Sequence, residues 1–251
     1  MDGVLRAARA WERELRDLLL PRGCAGCDRP DETLCADCRA LFLTGRAWTL
    51  RRDGIAVPCF ACADYRGAAR NAVLAWKDHD DVELDADFAD AMRALGAAAC
   101  GSVVGAVDVD AVVPVPSSAA SRRRRGRAHV RPLAKGVAAG LKPCGAGTGP
   151  RIADVLRIGG AGAKSVAVGG VRGRAHRLDD RVRVAGGGRG SETLRGRRVA
   201  LVDDIVTTGA TLAHCALAVR AAGGVVVAAF ALARTPAPGE CGPTLSGISA
   251  G

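Results

Sequence analysis

Two adjacent carboxylates, Asp203 and Asp204, end the apolar run of VALVDDIVTTGATL, and Thr207, Thr208, Gly209, Ala210 and Thr211 follow them. An apolar strand that closes on acids delivers them to the carboxyl end of a sheet, where open α/β folds bind their ligands. A Thr-Gly turn entering an Ala/Leu-rich helix exposes backbone N–H groups at the positive end of the helix dipole, which suits a phosphate. Gly209 lets the backbone approach a ligand, and the threonines add hydroxyls. Carboxylates repel a phosphate, so Asp203 and Asp204 need another partner: the vicinal hydroxyls of a ribose, a metal ion, or both. A phosphorylated ribose satisfies the whole stretch. A solvated Asp-Asp turn that caps a helix accounts for the acids but leaves the hydroxyls unexplained.

The second group of chemical residues is CAGCDRPDETLCADC, with Cys24, Cys27, Cys35 and Cys38. Two CxxC knuckles at this spacing aim four thiolates at one point and predict a closed tetrahedral zinc shell, which is structural. Cys59 and Cys62 form a further CxxC in VPCFACADY. That segment reads as a strand, where residues three apart point to opposite faces, so these two are expected to be packing cysteines.

These residues need elements to hold them. Residues 1–20 read as an amphipathic helix, and 21–45 contain the knuckle. GIAVPCFACADY reads as a strand, GAARNAVLAW and LDADFADAMRALGAAA as helices, and VDAVVPVP as a strand closed by prolines. A basic loop, SSAASRRRRGR, precedes the helix RPLAKGVAAGL. IADVLRI reads as one short strand and RVRV as another. The last elements are the strand RRVALVDDIV, the helix TGATLAHCALAVRAA and the strand GGVVVAAFALAR. Strands alternating with helices over 55–235 predict an α/β domain with a mainly parallel sheet. Residues 236–251 read as a disordered tail.

Composition sets the outer bounds. The 251 residues are 49% hydrophobic and only 3% aromatic, so the core must be built from Ala, Val and Leu. Their length allows one good-sized domain plus an appendage. No apolar run is long enough for a membrane span, and the charged N-terminus does not read as a signal peptide, so a cytoplasmic protein is expected. The net charge is +10 and is carried almost entirely by Arg, whose fork matches phosphate oxygens. IGGAGAKS lacks the glycines a P-loop needs at Ile158 and Ala163, and GAGTGP follows a helix, so neither is a nucleotide motif. None of the four histidines has metal-ligand spacing.

VALVDDIVTTGATL closely resembles the PRPP-binding motif of type I phosphoribosyltransferases: hydrophobic strand, two acids, Thr/Gly loop. The four-cysteine segment, YRGAARNAVLAWKDHDD with Tyr65, Gly67 and Lys77, and VPVPSSAASRRRRGRAH narrow this further. Together they resemble the ComF family over about residues 18–235, phosphoribosyltransferase-like proteins linked to DNA uptake in natural competence. Two stretches depart from that pattern: Arg127 and Ala128 follow Gly126, and AKSVAVGGVRGRAH stands where the loop over the leaving group is expected.

The resemblance implies a type I phosphoribosyltransferase-like sheet and Mg²⁺-dependent PRPP binding. Asp203 and Asp204 would serve ribose and Mg²⁺, and Thr207 to Thr211 the 5′-phosphate. Backbone N–H groups at Val115 and Ser117, with Arg125, Lys164, Arg172 and Arg174, would serve the pyrophosphate. Phosphoribosyl transfer asks the protein mainly to hold the ribose, neutralise the leaving group and exclude water. No acceptor pocket is legible. Two other functions suit the chain: a non-catalytic single-stranded-DNA binder, given the basic charge and knuckle, and a PRPP sensor without chemistry. A DNA-uptake protein is a candidate partner.

Overall fold

The computed structural model describes residues 23–78, 81–100, 108–117, 126–141, 149–159, 182–185 and 193–236. The expected helix over 1–20, the tail beyond 236, the run Arg122–Arg125, and Lys164, Arg172 and Arg174 lie outside these residues.

A short helix, α1 (Ala36–Leu41), carries the second half of the knuckle. Two strands follow, β1 (Arg46–Arg52) and β2 (Ile55–Asp64), then helices α2 (Gly67–Asp78) and α3 (Leu84–Cys100). Next come β3 (Ala111–Pro114), α4 (Val130–Gly140) and the short strands β4 (Arg151–Ile152), β5 (Leu156–Ile158) and β6 (Val182–Val184). The chain then forms β7 (Arg198–Val206), α5 (Ala210–Ala221) and β8 (Val225–Arg234). The main sheet has the order β1-β2-β8-β7-β3-β4. It is parallel except for the β1–β2 hairpin. β5 and β6 pair antiparallel in a separate two-stranded ribbon.

Two features differ from the sequence reading. Residues 46–52 form an edge strand where none was assigned, closed by an Asp53-Gly54 turn with both residues at positive φ. IADVLRI is two strands, because the chain leaves β3 at Ala153 and turns to pair with β6.

The parallel strands are nearly continuous runs of Val, Ala and Leu because both faces are covered. Alternate residues separate cleanly. Phe60, Cys62, Val112, Ala200, Val202, Phe230 and Leu232 join one core with α2, α3 and α4. Cys59, Ala61, Val113, Val199, Leu201 and Ala229 join the other with α5. Cys59 and Cys62 are therefore buried on opposite faces, as their strand spacing predicts. Burial pushes the Cys59 thiol up to about 12 and raises Cys62 as well. With few aromatics, helices must come close: a Cβ at Gly136 of α4 would run into the Ala89 carbonyl of α3.

The sheet order fixes where a ligand can enter. From β3 the chain passes through α4 outward to β4; from β7 it passes through α5 the opposite way to β8. The connections after neighbouring β3 and β7 thus leave toward opposite faces. A crevice opens between their carboxyl ends, at a topological switch point.

Candidate functional site

That crevice is a cleft of about 480 Å³ lined by Tyr65, Lys77, Val115, Pro116, Ser117, Ile158, Asp203, Asp204, Ile205, Thr207 and Thr211. The structure therefore brings the acid pair, two of the loop threonines and the end of β3 to one place.

Within the loop the roles divide. Thr207 and Thr211 line this cleft. Thr208 and Gly209 line a second cleft of about 340 Å³ together with Trp48, Leu50, Arg234 and Thr235. Thr207 reaches both. Ala210 N donates to Thr208 Oγ1 over a long 3.5 Å. Ala213 N donates to Gly209 O, the first full turn of α5, so the N–H groups of Thr211 and Leu212 precede the helical ladder. In the second cleft the Arg234 guanidinium lies 5.3 Å from the Trp48 ring centre and reaches Asp64.

Gly209 sits at φ +73°, in the left-handed region, and a Cβ there would meet the Leu50 side chain. The glycine is thus required by the turn itself, besides any ligand. Gly209→Val is expected to cost about 1–2 kcal/mol from the backbone alone, and to misplace Thr207 and Thr208. A urea titration checks the stability loss; an unchanged midpoint would show that the turn relaxes freely.

One expected pyrophosphate donor is corrected. Val115 N donates to Val202 O at 2.7 Å, because the parallel ladder continues one residue past β3. Its N–H is already used. Of the expected backbone donors on this strand end, Ser117 remains.

The acid pair is not a pair in its contacts. Both acids line the cleft at the end of β7, but their partners differ. Asp204 turns toward α2 and the start of α4. Its Oδ2 lies 2.7 Å from Lys77 Nζ and accepts from His129 Nε2 at 2.6 Å, while Oδ1 accepts from Ile205 N at 2.6 Å. Burial raises this carboxyl, but the His129 hydrogen bond and the Lys77 charge outweigh it and hold Asp204 well below the usual carboxylate range. The Lys77 charge also acts on Asp203, but less strongly than burial and the Asp204 charge. Asp203 Oδ1 accepts from Asp204 N at 2.8 Å, and burial, reinforced by the Asp204 charge, pushes its carboxyl well above the usual range.

His129 is the site residue that sequence reading missed. It is buried, packs edge-on against Trp76 and reaches Asp204. Arg127 anchors the same turn. It donates to Asp85 Oδ1 at 2.6 Å and to the Trp76 carbonyl at 2.9 Å, with its guanidinium over the Trp76 ring.

The cysteine cluster lies apart from the cleft. The sulfurs of Cys24, Cys27, Cys35 and Cys38 all fall within 4.8 Å of one another, and Cys27 and Cys35 are 3.6 Å apart. Zn–S bonds of about 2.3 Å in a tetrahedron require S–S edges of roughly 3.8 Å, so the cluster fits that metal. Burial raises the Cys24 thiol, but backbone N–H groups of Cys35, Cys27 and Gly26 outweigh it and bring Cys24 down to about 6. Such N–H donors favour the thiolate a metal needs. Gly26 is confined too, since a Cβ would crowd the Cys38 sulfur.

Comparisons with known proteins add little. No protein-family model matches the chain, and no curated protein matches it. Among solved structures, one described as the allosteric regulatory enzyme of purine biosynthesis aligns with a TM-score of 0.34 and 20% identity. That alignment covers 58% of this chain and 26% of that enzyme chain, so this chain spans about a quarter of its length. The fold and site therefore define the class by themselves: a mixed α/β protein whose mostly parallel sheet carries an acid-and-threonine cleft at its switch point, with a four-cysteine cluster before it. No helix among the described residues is long and apolar enough to cross a membrane.

Proposed function

We propose that the switch-point cleft binds PRPP or a related ribose phosphate with Mg²⁺, and that the chain is a type I phosphoribosyltransferase-like protein of ComF type. The carrying observation is the convergence of Asp203, Thr207 and Thr211 on one open cleft at the N-terminus of α5. The 5′-phosphate would sit on the threonine loop and the first turn of α5, where N–H groups and hydroxyls are donors. Asp203 would accept from the ribose hydroxyls. Mg²⁺ would supply charge neutralisation for the pyrophosphate, with Ser117 at the end of β3 beside it. Transfer to an acceptor is the activity this arrangement would serve, and the ComF resemblance of the sequence supports a role in DNA uptake. Zinc in the knuckle would be structural.

Calorimetry and thermal melting with PRPP and Mg²⁺ test the reading. At a hundred times its Kd the ligand should stabilise the protein by about 2.7 kcal/mol. Single-stranded DNA, measured over a salt series, is the control for the binding-protein alternative, because phosphate-dominated DNA binding weakens steeply with salt. No response to millimolar PRPP beside tight, salt-sensitive DNA binding would replace the proposal with that alternative.

A further inference from the structure

We infer that Asp204 is a positioning residue that holds Lys77 as the cation of the ligand cleft, so that Lys77 meets the anionic part of the ligand and Asp203 alone meets its hydroxyls. This rests on the ribose-phosphate reading above.

The two acids stand side by side in the sequence, but their contacts separate them. Both oxygens of Asp204 already accept, from Lys77, His129 and Ile205. Asp204 is 7% exposed, and its side-chain partners come from α2 and from the residue that caps the start of α4. A ribose hydroxyl would have to displace a charged donor to reach Oδ2. Asp203 lines the same cleft; its Oδ1 accepts from Asp204 N, its carboxyl lies beside that of Asp204, and among the described residues no cation stands within ion-pair distance of it.

Lys77 is the complement. It lies near the end of α2, and its ammonium carries three N–H groups. Asp204 takes one side of it, and among the described residues no second acidic partner lies within ion-pair distance. The side chain lines the cleft and keeps 21% of its surface exposed. An anion entering there finds an ammonium already fixed in place, with donors to spare. Without Asp204 the same ammonium would lose its ion-pair partner and keep only the longer-range attraction of Asp203.

The neighbours fit this assignment. The His129 bond fixes the Asp204 carboxylate from the α4 side, and Trp76, the residue before Lys77, packs on the His129 ring. Arg127 then clamps the Trp76 carbonyl. The turn after the basic run is thereby tied to the lysine that faces the ligand.

A double-mutant cycle with ribose 5-phosphate as the probe tests it, with PRPP·Mg²⁺ run in parallel. Lys77→Met should weaken ribose 5-phosphate by about tenfold to a hundredfold, the worth of a charge-assisted contact, and Lys77→Arg should recover part of that loss. Asp204→Asn should weaken binding in the wild-type background and have no further effect when Lys77 is already Met. The comparison of Lys77→Met with the Lys77→Met/Asp204→Asn double variant is decisive by itself. Both lack the unpaired ammonium, and in Lys77→Met the Asp204 carboxylate keeps its hydrogen bonds from His129 and Ile205 N, so both should fold even if Asp204→Asn alone does not. Equal affinities in that comparison support the inference; a further loss in the double variant means Asp204 touches the ribose and overturns it. Unchanged affinity in Lys77→Met also overturns it. If wild-type protein binds neither ribose 5-phosphate nor PRPP, the ribose-phosphate reading itself has failed.

Discussion

Asp204→Asn should destabilise the protein by about 3 kcal/mol while Asp203→Asn leaves it as stable or makes it more so. Breaking a buried ion pair by removing one partner costs about 3–5 kcal/mol, because the other charge is left buried and unpaired. Here Lys77 keeps 21% of its side chain exposed, which places the loss near the low end. Even so, it is a large share of the roughly 5–15 kcal/mol that holds a domain together. Asp203 behaves oppositely because burial and the Asp204 charge oppose its ionisation. A carboxyl whose folded pKa is raised stabilises while protonated, and that stability is lost as pH rises through the folded value. Wild-type protein should therefore weaken with rising pH over the range where Asp203 ionises, and Asp203→Asn should lack that decline. Asp204, held low, contributes stability above the ordinary carboxylate pKa that is lost only in stronger acid. Urea titrations of both variants across pH decide the matter. Equal losses in the two variants would mean that the carboxylates are equivalent after all.

Adjacent acids in VALVDDIVTTGATL look like one binding unit. Their contacts say otherwise. The strand rule sends Cys59 and Cys62 to opposite cores, and at the end of β7 Asp203 and Asp204, although they share the cleft, take different partners. What no local pattern supplies is the identity of their neighbours. His129 lies 75 residues from Asp204 in the chain, and Lys77 is farther still. The buried ion pair is a product of sheet order, which puts α2 and the start of α4 beside the end of β7.

Other parts were legible for equally physical reasons. β2, β7 and β8 are Val/Ala/Leu runs bounded by Gly, charge or Pro, and such runs have few alternatives to a buried parallel strand. β1 was hidden because three of the seven residues of RAWTLRR are arginine, although the Asp53-Gly54 pair after it is a strong hairpin signal. The arginines fit an edge strand, since charge there discourages pairing with another chain. IADVLRI divided because Ala153 to Val155 turn the chain away from β3, and only the partner strand β6 reveals where it goes. Val115 was mistaken for a free donor because the ladder runs one residue beyond the point at which prolines in VPVPSS suggest it stops.

Stripping zinc should lower the melting temperature by about 10 °C or more, and the loss should not stay local. The segment around Cys24–Cys38 has few apolar residues of its own, and structural zinc supplies folding free energy directly. Its loss, at about 2–4 °C per kcal/mol for a domain of this size, gives the expected shift. The effect should spread because the knuckle is not a separate bead. Leu34, Cys35, Cys38 and Phe42 share a core with Trp76 and Phe88, and the Phe42 and Phe88 rings are 4.8 Å apart. Asn71 of α2 donates to the Gly26 carbonyl, and Arg39 reaches Asp87 of α3. Both helices that back the ligand cleft thus lean on the knuckle. Purified protein should carry about one zinc per chain, and Cys35→Ser should lower that content and the melting temperature together. Thiol labelling gives an independent readout: Cys24, Cys27, Cys35 and Cys38 should become reactive on chelation, while buried Cys59, Cys62 and Cys215 stay protected. Full zinc occupancy in a variant lacking Cys24 and Cys27 would remove the metal from this site. An unchanged melting curve after chelation would leave the cysteines as packing residues, and α2 and α3 would then have to be held by the apolar core alone.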